Sequence, residues 1–303
     1  MIARGAVAAL VLAASGLGCA SAVNYLDPAG PAYVSRREAP DPPRERPPGP
    51  EPGHAQPGPP PARPWRVVTF NVAYAIEIDR AIEALRGTAP LRDPDVLALQ
   101  EMDAPGTERI ARALGMNAVY FPSGVHPKHD RDFGCAVLSP WPLEEPRKLV
   151  LPHGARVSGL RRSATSAVVV RGRERVRVYS VHLPSPLAVS GGSRKEQLRA
   201  LAADVATAQE PVIVAGDFNS HGKVEELAKA GLAWVTRDAG DTARFRLLGI
   251  GLAGLAYDHV LARGLRRAPG EDAVGVAADN RGASDHLPVW AVLVVEPLPA
   301  GPR

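Results

Sequence analysis

Two short segments near the C-terminal end combine residue types suited to breaking a phosphate ester. Gly216-Asp217-Phe218-Asn219 follows the apolar run Pro211-Val212-Ile213-Val214-Ala215, which reads as a buried strand. Asp217 and Asn219 therefore stand two residues apart at a strand end and point the same way, because strand side chains alternate faces. Ser284-Asp285-His286 places a carboxylate beside an imidazole, just ahead of the apolar strand Val289 to Val295. Oxygen ligands suit Mg²⁺ or Mn²⁺, and an imidazole titrating near neutrality suits proton transfer. Together they point to metal-assisted attack of water on a phosphate ester.

The same arrangement recurs along the chain. Asn71 follows Val67-Val68-Thr69-Phe70, Glu101 follows Val96-Leu97-Ala98-Leu99-Gln100, and His182 follows Val178-Tyr179-Ser180-Val181. One polar residue at a strand end is ordinary. Repeated on several strands, with Asp258-His259 and Asp285-His286 added, it suggests one cleft, since a sheet fixes side chains at its strand ends toward a common site.

The elements that must carry these residues are legible as apolar patterns. Strands are expected at 66–72, 95–101, 133–138, 211–215, 257–262, 273–276 and 289–295, with a hairpin of 163–170 and 173–182 around Gly172. Ile78 to Leu85 and Thr107 to Leu114 have helical spacing. Ser193 to Ala208 reads as a helix with Ser193 as N-cap and Glu196 completing a capping box. Interleaved strands and helices, with strands in excess, predict an α/β fold with a layered sheet core flanked by helices.

Thr69-Phe70-Asn71-Val72, Leu99-Gln100-Glu101, Val181-His182-Leu183, Gly216-Asp217-Phe218-Asn219, Tyr257-Asp258-His259-Val260 and Ser284-Asp285-His286, in that order, resemble the endonuclease/exonuclease/phosphatase (DNase I-like) superfamily over residues 66 to about 295. The resemblance implies a four-layer α/β-sandwich, two facing mixed β-sheets flanked by helices. It also implies a Mg²⁺- or Mn²⁺-dependent phosphoesterase acting on a phosphodiester or phosphomonoester. Glu101 resembles the metal carboxylate, with Asn71 beside it and Asp285 in the same shell. His286 resembles the base that activates water, oriented by Asp258. Asp217 and Asn219 resemble the pair that positions the nucleophile and meets the phosphate. His182 resembles the histidine that stabilises the phosphate or protonates the leaving oxygen. Arg161 and Arg162 precede a strand and read equally as a contact to substrate phosphate, with Arg162 the candidate, or as a solvated pair.

Plainer readings apply elsewhere. His259 is read as packing. His126, His129 and Asp130 are read as part of a solvated loop, Pro122 to Asp132, on the substrate side. Arg171, Arg173, Arg175 and Arg177 alternate on the hairpin and read as one exposed face.

The chain of 303 residues has a formal net charge of +4 and no long Lys/Arg run, so it permits a phosphate-bearing partner without demanding nucleic acid. Its 2 cysteines exclude a disulfide framework. A calcineurin-type metallophosphatase would need an early Asp-x-His and a late Gly-His-x-His, and neither occurs. Arg4 followed by the apolar run Gly5 to Gly18 reads as a signal peptide, residues 1–19, ending in a lipobox-like Gly18-Cys19-Ala20-Ser21. Residues 20–64, with 12 prolines between Pro40 and Pro64, read as a disordered linker holding a catalytic domain, 65–297, away from a membrane; 298–303 are a tail. The expectation is an exported monomer, lipid-anchored at Cys19 to the bacterial outer membrane or cell surface, or otherwise periplasmic or secreted. Its substrate would be a nucleic acid, a phospholipid or a small phosphodiester. The alternatives are a sequence-nonspecific nuclease, or an inactive binding protein on the same fold. Leu247 to Leu255 is apolar and Gly-rich, and reads as lid, lipid-facing patch or core.

Overall fold

The computed structural model describes residues 22–36, 63–220, 224–243, 246–247, 250–251 and 254–296. The signal segment with Cys19, the proline-rich stretch 37–62, the tail from 297 and residues 248–249 and 252–253 of the Leu247 to Leu255 stretch lie outside them. In chain order the elements are β1 (Tyr33–Ser35), β2 (Trp65–Asn71), α1 (Ile78–Gly87), β3 (Val96–Met102), α2 (Ala104–Leu114), β4 (Asn117–His126), β5 (Arg131–Ser139), β6 (Leu143–Gly154), β7 (Arg161–Arg171) and β8 (Glu174–His182). There follow α3 (Gly191–Ala206), β9 (Val212–Asp217), α4 (Glu225–Ala228), β10 (Ala233–Trp234), β11 (Arg246–Leu247), β12 (Ile250–Gly251), β13 (Asp258–Arg263), β14 (Leu265–Arg267), β15 (Val274–Val276) and β16 (Val289–Val295).

Two mixed sheets face each other. The first has the order β1-β4-β5-β3-β2-β16-β14, with β15 also on β16, and the second β10-β13-β9-β8-β7-β6. Their central strands are apolar on both faces, as expected for sheets covered on both sides. Val67, Val96 and Ala98 meet Val178, Ile213 and Val260 between the sheets. Val68, Leu97 and Leu99 pack outward with Ile78, Leu85 and Ile110 of α1 and α2. Val214, Tyr179 and Val212 pack outward with Leu198, Leu201 and Leu227 of α3 and α4. The result is the expected four-layer α/β-sandwich.

Four expectations change. Residues 22–36, assigned above to the disordered linker, are packed on the domain. Tyr33 pairs with Tyr120 and Ser35 with Ala118. Lys148 Nζ donates to Tyr25 O (2.5 Å) and Tyr25 Oη to Asp132 Oδ1 (3.0 Å). The reason lies in composition: the dense run of prolines begins at Pro40, while Tyr33-Val34-Ser35 is an ordinary edge strand. Next, β4 runs through Pro122 to His126, with a register shift between Pro122 and Gly124, so the supposed solvated loop shrinks to its tip. The capping residue of α3 is Ser190, whose Oγ accepts from Ser193 N (3.0 Å), because Gly191 and Gly192 form its first turn. Finally, the four arginines of the β7–β8 hairpin are not one exposed face. Arg171 and Arg177 are buried. Arg171 stacks on Trp65 (3.9 Å) and pairs with Asp95 (3.3 Å), and Arg177 pairs with Glu210 (3.0 Å).

Candidate active site

The site sits where β2 and β3 of one sheet end opposite β8, β9 and the start of β13 of the other. Beneath it, a hydrogen-bonded chain crosses between the sheets. Thr69 Oγ1 donates to Gln100 Oε1 (3.2 Å), Gln100 Nε2 to Ser180 Oγ (3.0 Å), and Ser180 Oγ to Leu99 O (2.9 Å). Directly above, Asn71 Nδ2 donates to Asp217 Oδ2 across the gap (3.0 Å). The β8–β9 register sets His182 beside Asp217, and the β9–β13 register sets Asp217 beside Asp258. Asn71, His182, Asp217, Asp258 and His286 are all buried. The sequence-predicted residues from distant segments thus meet in one place.

Asp217 is the hub. Its Oδ1 accepts from Asn219 N (2.7 Å), and its Oδ2 from Asn71 Nδ2 and Asn219 Nδ2 (2.9 Å). His182 Nε2 lies 3.4 Å and His286 Nε2 3.8 Å from that same oxygen. On its other side the His286 ring is held by Asp258, Nδ1 to Oδ2 at 2.7 Å. Asp258 Oδ2 also accepts from Thr242 Oγ1 (2.6 Å).

Electrostatics divide these groups. Burial pushes the Asp217 carboxyl up to about 7, with charged His286 pulling the other way. Burial also works against a charged His286, but Asp258 and Asp217 outweigh it and hold its pKa well above the ordinary value. His182 is the converse. Burial, then Arg162 and His286, drive its pKa well below the ordinary value, so this ring is neutral. It makes a 3.2 Å contact to Asn219 Nδ2.

Glu101 occupies the opposite wall. Burial raises its pKa, while Arg162 and His286 pull it down. Its Oε2 accepts from Tyr74 N (3.1 Å). That donor is presented by an unusual turn: Ala73, Tyr74 and Ala75 have φ of 43°, 61° and 53°, and Glu101 itself 58°. Non-glycine residues pay roughly 1–2 kcal/mol each for this region, so the turn is held against its local preference, as backbones at functional sites often are. Arg162 lies over the Phe133 ring (4.4 Å), and its Nη1 is sealed from solvent without a hydrogen-bond partner among the described residues.

The donors fit a hard divalent cation. Glu101 and the Asn71 amide offer oxygen, and among the described residues the mostly buried Glu101 carboxylate has no cation in direct contact: the nearest basic group, His182, is 3.9 Å away and neutral. Asp285 is exposed on the rim, where its charge still acts on Glu101 and His286. It therefore joins the site at a distance. Asp217, Asp258 and His286 also bring ligand atoms within 4.8 Å of one another; the Asp217 oxygens and Asp258 Oδ2 are already hydrogen-bonded, while Asp258 Oδ1 is buried without a hydrogen-bond partner among the described residues.

Other residues emerge only in three dimensions. Thr242 orients Asp258, Phe133 carries Arg162, and Arg194 Nη1 donates to Phe218 O (2.7 Å), fixing the turn that presents Asn219. No local pattern marks Thr242 or Phe133; Arg194, a charge inside an otherwise buried helix face, was the one available signal. His126 and His129 are half-buried and flank Tyr74 at 4.7 and 4.1 Å, and burial followed by Arg162 lowers the pKa of His126 to about 4. His259 packs edge-on to Trp234 (4.8 Å) with Nε2 3.0 Å from Ser220 O, as expected.

Residues 68–286 match the family model described as "Endonuclease/Exonuclease/phosphatase family". No curated protein sequence matches. Among solved structures, the chain is similar to an endonuclease/exonuclease/phosphatase from Beutenbergia cavernae, at 26% identity and TM-score 0.59, covering 77% of this chain and 72% of that one. D. rerio TDP2, solved with a single-strand DNA product, shares 16% identity at TM-score 0.58, covering 77% and 99%. The human Nocturnin catalytic domain, solved with a sulfate anion, shares 19% at TM-score 0.53, covering 78% and 96%.

Proposed function

Because the chain belongs to the endonuclease/exonuclease/phosphatase family, whose members are metal-dependent phosphoesterases or nucleases, we propose that it hydrolyses a phosphodiester with Mg²⁺ or Mn²⁺. The observation that carries this reading is Asp217, a buried carboxylate held by Asn71 and Asn219 beside the Asp258–His286 pair, its pKa pushed by burial up to about 7. A base poised near the working pH suits proton abstraction from water.

Glu101 and Asn71, with Asp285 nearby, would hold the metal. When bound it supplies Lewis-acid polarisation of a phosphoryl oxygen and neutralises charge. The chain's own groups do the rest. Asn71 and Asn219 orient Asp217. The water oxygen bonds to phosphorus, its proton passes to Asp217, and the ester oxygen leaves with the electron pair of its bond and is protonated from solvent. The His286 imidazolium and the Arg162 guanidinium bring positive charge to the phosphoryl oxygens, and neutral His182 offers a hydrogen bond rather than a proton. This differs from the expectation that His286 is the base. Between two carboxylates it stays charged, so the proton acceptor is Asp217.

The test is hydrolysis by the full chain, with Mg²⁺ or EDTA, of plasmid DNA, bis-p-nitrophenyl phosphate and a phospholipid in parallel. Loss of Asp217 (Asp217→Asn) or of the guanidinium (Arg162→Leu) is expected to lower kcat/KM by about 10²–10⁴. Activity that survives both EDTA and Asp217→Asn would sink the proposal. The signal-like N-terminus and the lipobox-like Cys19 support export and lipid anchoring, which an intact-mass measurement of Cys19 reads directly.

A further inference from the structure

We propose that the edge formed by residues 22–26, the β6–β7 connection and Leu187 docks on a lipid bilayer and holds the mouth of the site against it. The inference rests on the lipid-anchor reading of Cys19 and is independent of the phosphoesterase reading.

Position comes first. Met102 pairs with Gly134, so the tip of the β4–β5 hairpin lies at the Glu101 end of its sheet. Ala164 pairs with Val181, so the β6–β7 connection lies at the His182 end of the other sheet. Residues 22–25 bridge these two loops. Val125 N donates to Val23 O (2.8 Å), Ala22 N to Ser158 O (2.8 Å), Arg161 N to Asn24 Oδ1 (2.7 Å) and Asn24 Nδ2 to Gly159 O (3.1 Å). The approach is close enough that a Cβ on Gly124 would lie 2.1 Å from Val23 O. The N-terminal segment is therefore stitched across the rim of the active-site end.

Composition comes second. Among the described residues the exposed large hydrophobics are Val23, Leu26, Val34, Ile76, Val157 and Leu187, and Val157 is 91% exposed. Val23, Leu26, Val157 and Leu187 belong to residues 22–26 or to the loops at this end; Ile76 follows the Tyr74 turn at the same end, and Val34, paired with Val119, lies toward the other end of β4. Arg156 N donates to Ala188 O (2.8 Å), which brings Leu187 beside Val157. Single exposed apolar residues need no explanation, but their concentration on one edge marks an interaction surface. Arg156, exposed next to Val157, suits the headgroups of anionic lipids.

The length of chain outside the structure names the occupant. Cys19 stands three residues before Ala22, a reach of at most about 10 Å. The proline-rich stretch 37–62 comes after this docked segment and joins β1 to β2 of one sheet. It is not the arm between anchor and domain. A diacylated Cys19 would thus pull this edge, not a remote one, onto the bilayer, where Val157 and Leu187 enter the interface.

The experiment uses the full chain made with its own leader and reconstituted in phosphatidylethanolamine/phosphatidylglycerol vesicles carrying a bilayer-resident quencher. A fluorophore is attached at Val157→Cys or, at the far end of the same sheet, at Arg173→Cys; both positions are exposed, and Cys135 is too buried to label. Docking predicts about fivefold stronger quenching at 157 than at 173, since interfacial apolar groups sit several ångströms into the boundary. Equal quenching overturns the docking surface. A Cys19 without a lipid, read by mass, also overturns it, while leaving the hydrolysis assay to decide the phosphoesterase reading separately.

Discussion

Replacing Gly216 by alanine tests whether backbone approach places the catalytic groups. Gly216 pairs with Val181 in the parallel β8–β9 ladder, one residue before His182 meets Asp217. Its φ is +153°, and a Cβ there would lie 1.9 Å from Val181 O and 2.8 Å from Val181 C. Ordinary contact is about 3.5 Å, so the strands must separate by roughly 1.5 Å. Forced overpacking of this kind costs about 1–3 kcal/mol. For a domain of this size that lowers Tm by about 2–4 °C per kcal/mol, or about 6 °C at the midpoint. The catalytic effect is larger, because Asp217 and His182 ride on the separating strands. A misplacement of about 1 Å lowers kcat/KM by about 10²-fold. Thermal denaturation and kcat/KM on the preferred substrate read both. Gly191→Ala is the comparator: a Cβ there meets nothing, at the first position of α3, and alanine is expected to be neutral or slightly stabilising. If Gly216→Ala melts within about 1 °C of the parent and keeps kcat/KM within about twofold, the close approach does not position the site, and the argument fails.

Two other outcomes follow from the same geometry. The Asp217 carboxyl must be ionised to accept a proton, so kcat/KM is lost as pH falls through about 7; His286 must be protonated, so activity is lost again only above its raised pKa. A rate flat from pH 5 to 8 would contradict this; removing the pulling anion with Asp258→Asn should bring the alkaline limb down toward neutrality. At the far end of the sheets, Arg171→Leu removes the stack on Trp65 and leaves Asp95 short of a buried partner. A loss of about 3 kcal/mol is expected in denaturant unfolding, with kcat/KM per folded molecule unchanged.

The positions that meet in the candidate site are legible because each is a polar residue ending an apolar strand, a contrast that survives without neighbours. Asn71, Glu101, His182 and Asp217 all show it. Strand β6 was not legible, since Pro146, Pro152 and its charged residues break the apolar pattern; as the edge of its sheet it tolerates them. Residues 22–36 read as spacer in sequence because the stretch from Pro40 onward is proline-rich, although Tyr33-Val34-Ser35 pairs with β4. Protonation was least legible of all. His182 and His286 are the same residue type at similar strand-end positions, yet one is driven neutral and the other held charged by groups distant in sequence.

The Thr69–Gln100–Ser180 chain has a mechanical consequence. Apolar contact between two sheets is non-directional, so it resists separation far better than sliding. Hydrogen bonds have narrow angular and distance limits, so this chain admits one lateral alignment of the sheets. The groups on Glu101's side and on Asp217's side belong to different sheets. Their separation is therefore governed by shear stiffness, to which these three side chains contribute along with the Thr165–Cys135 and Ser123–Ser163 hydrogen bonds between the sheets. A variant weakened there can keep its melting temperature and still blur the distance across the cleft, because the quantity lost is alignment rather than cohesion.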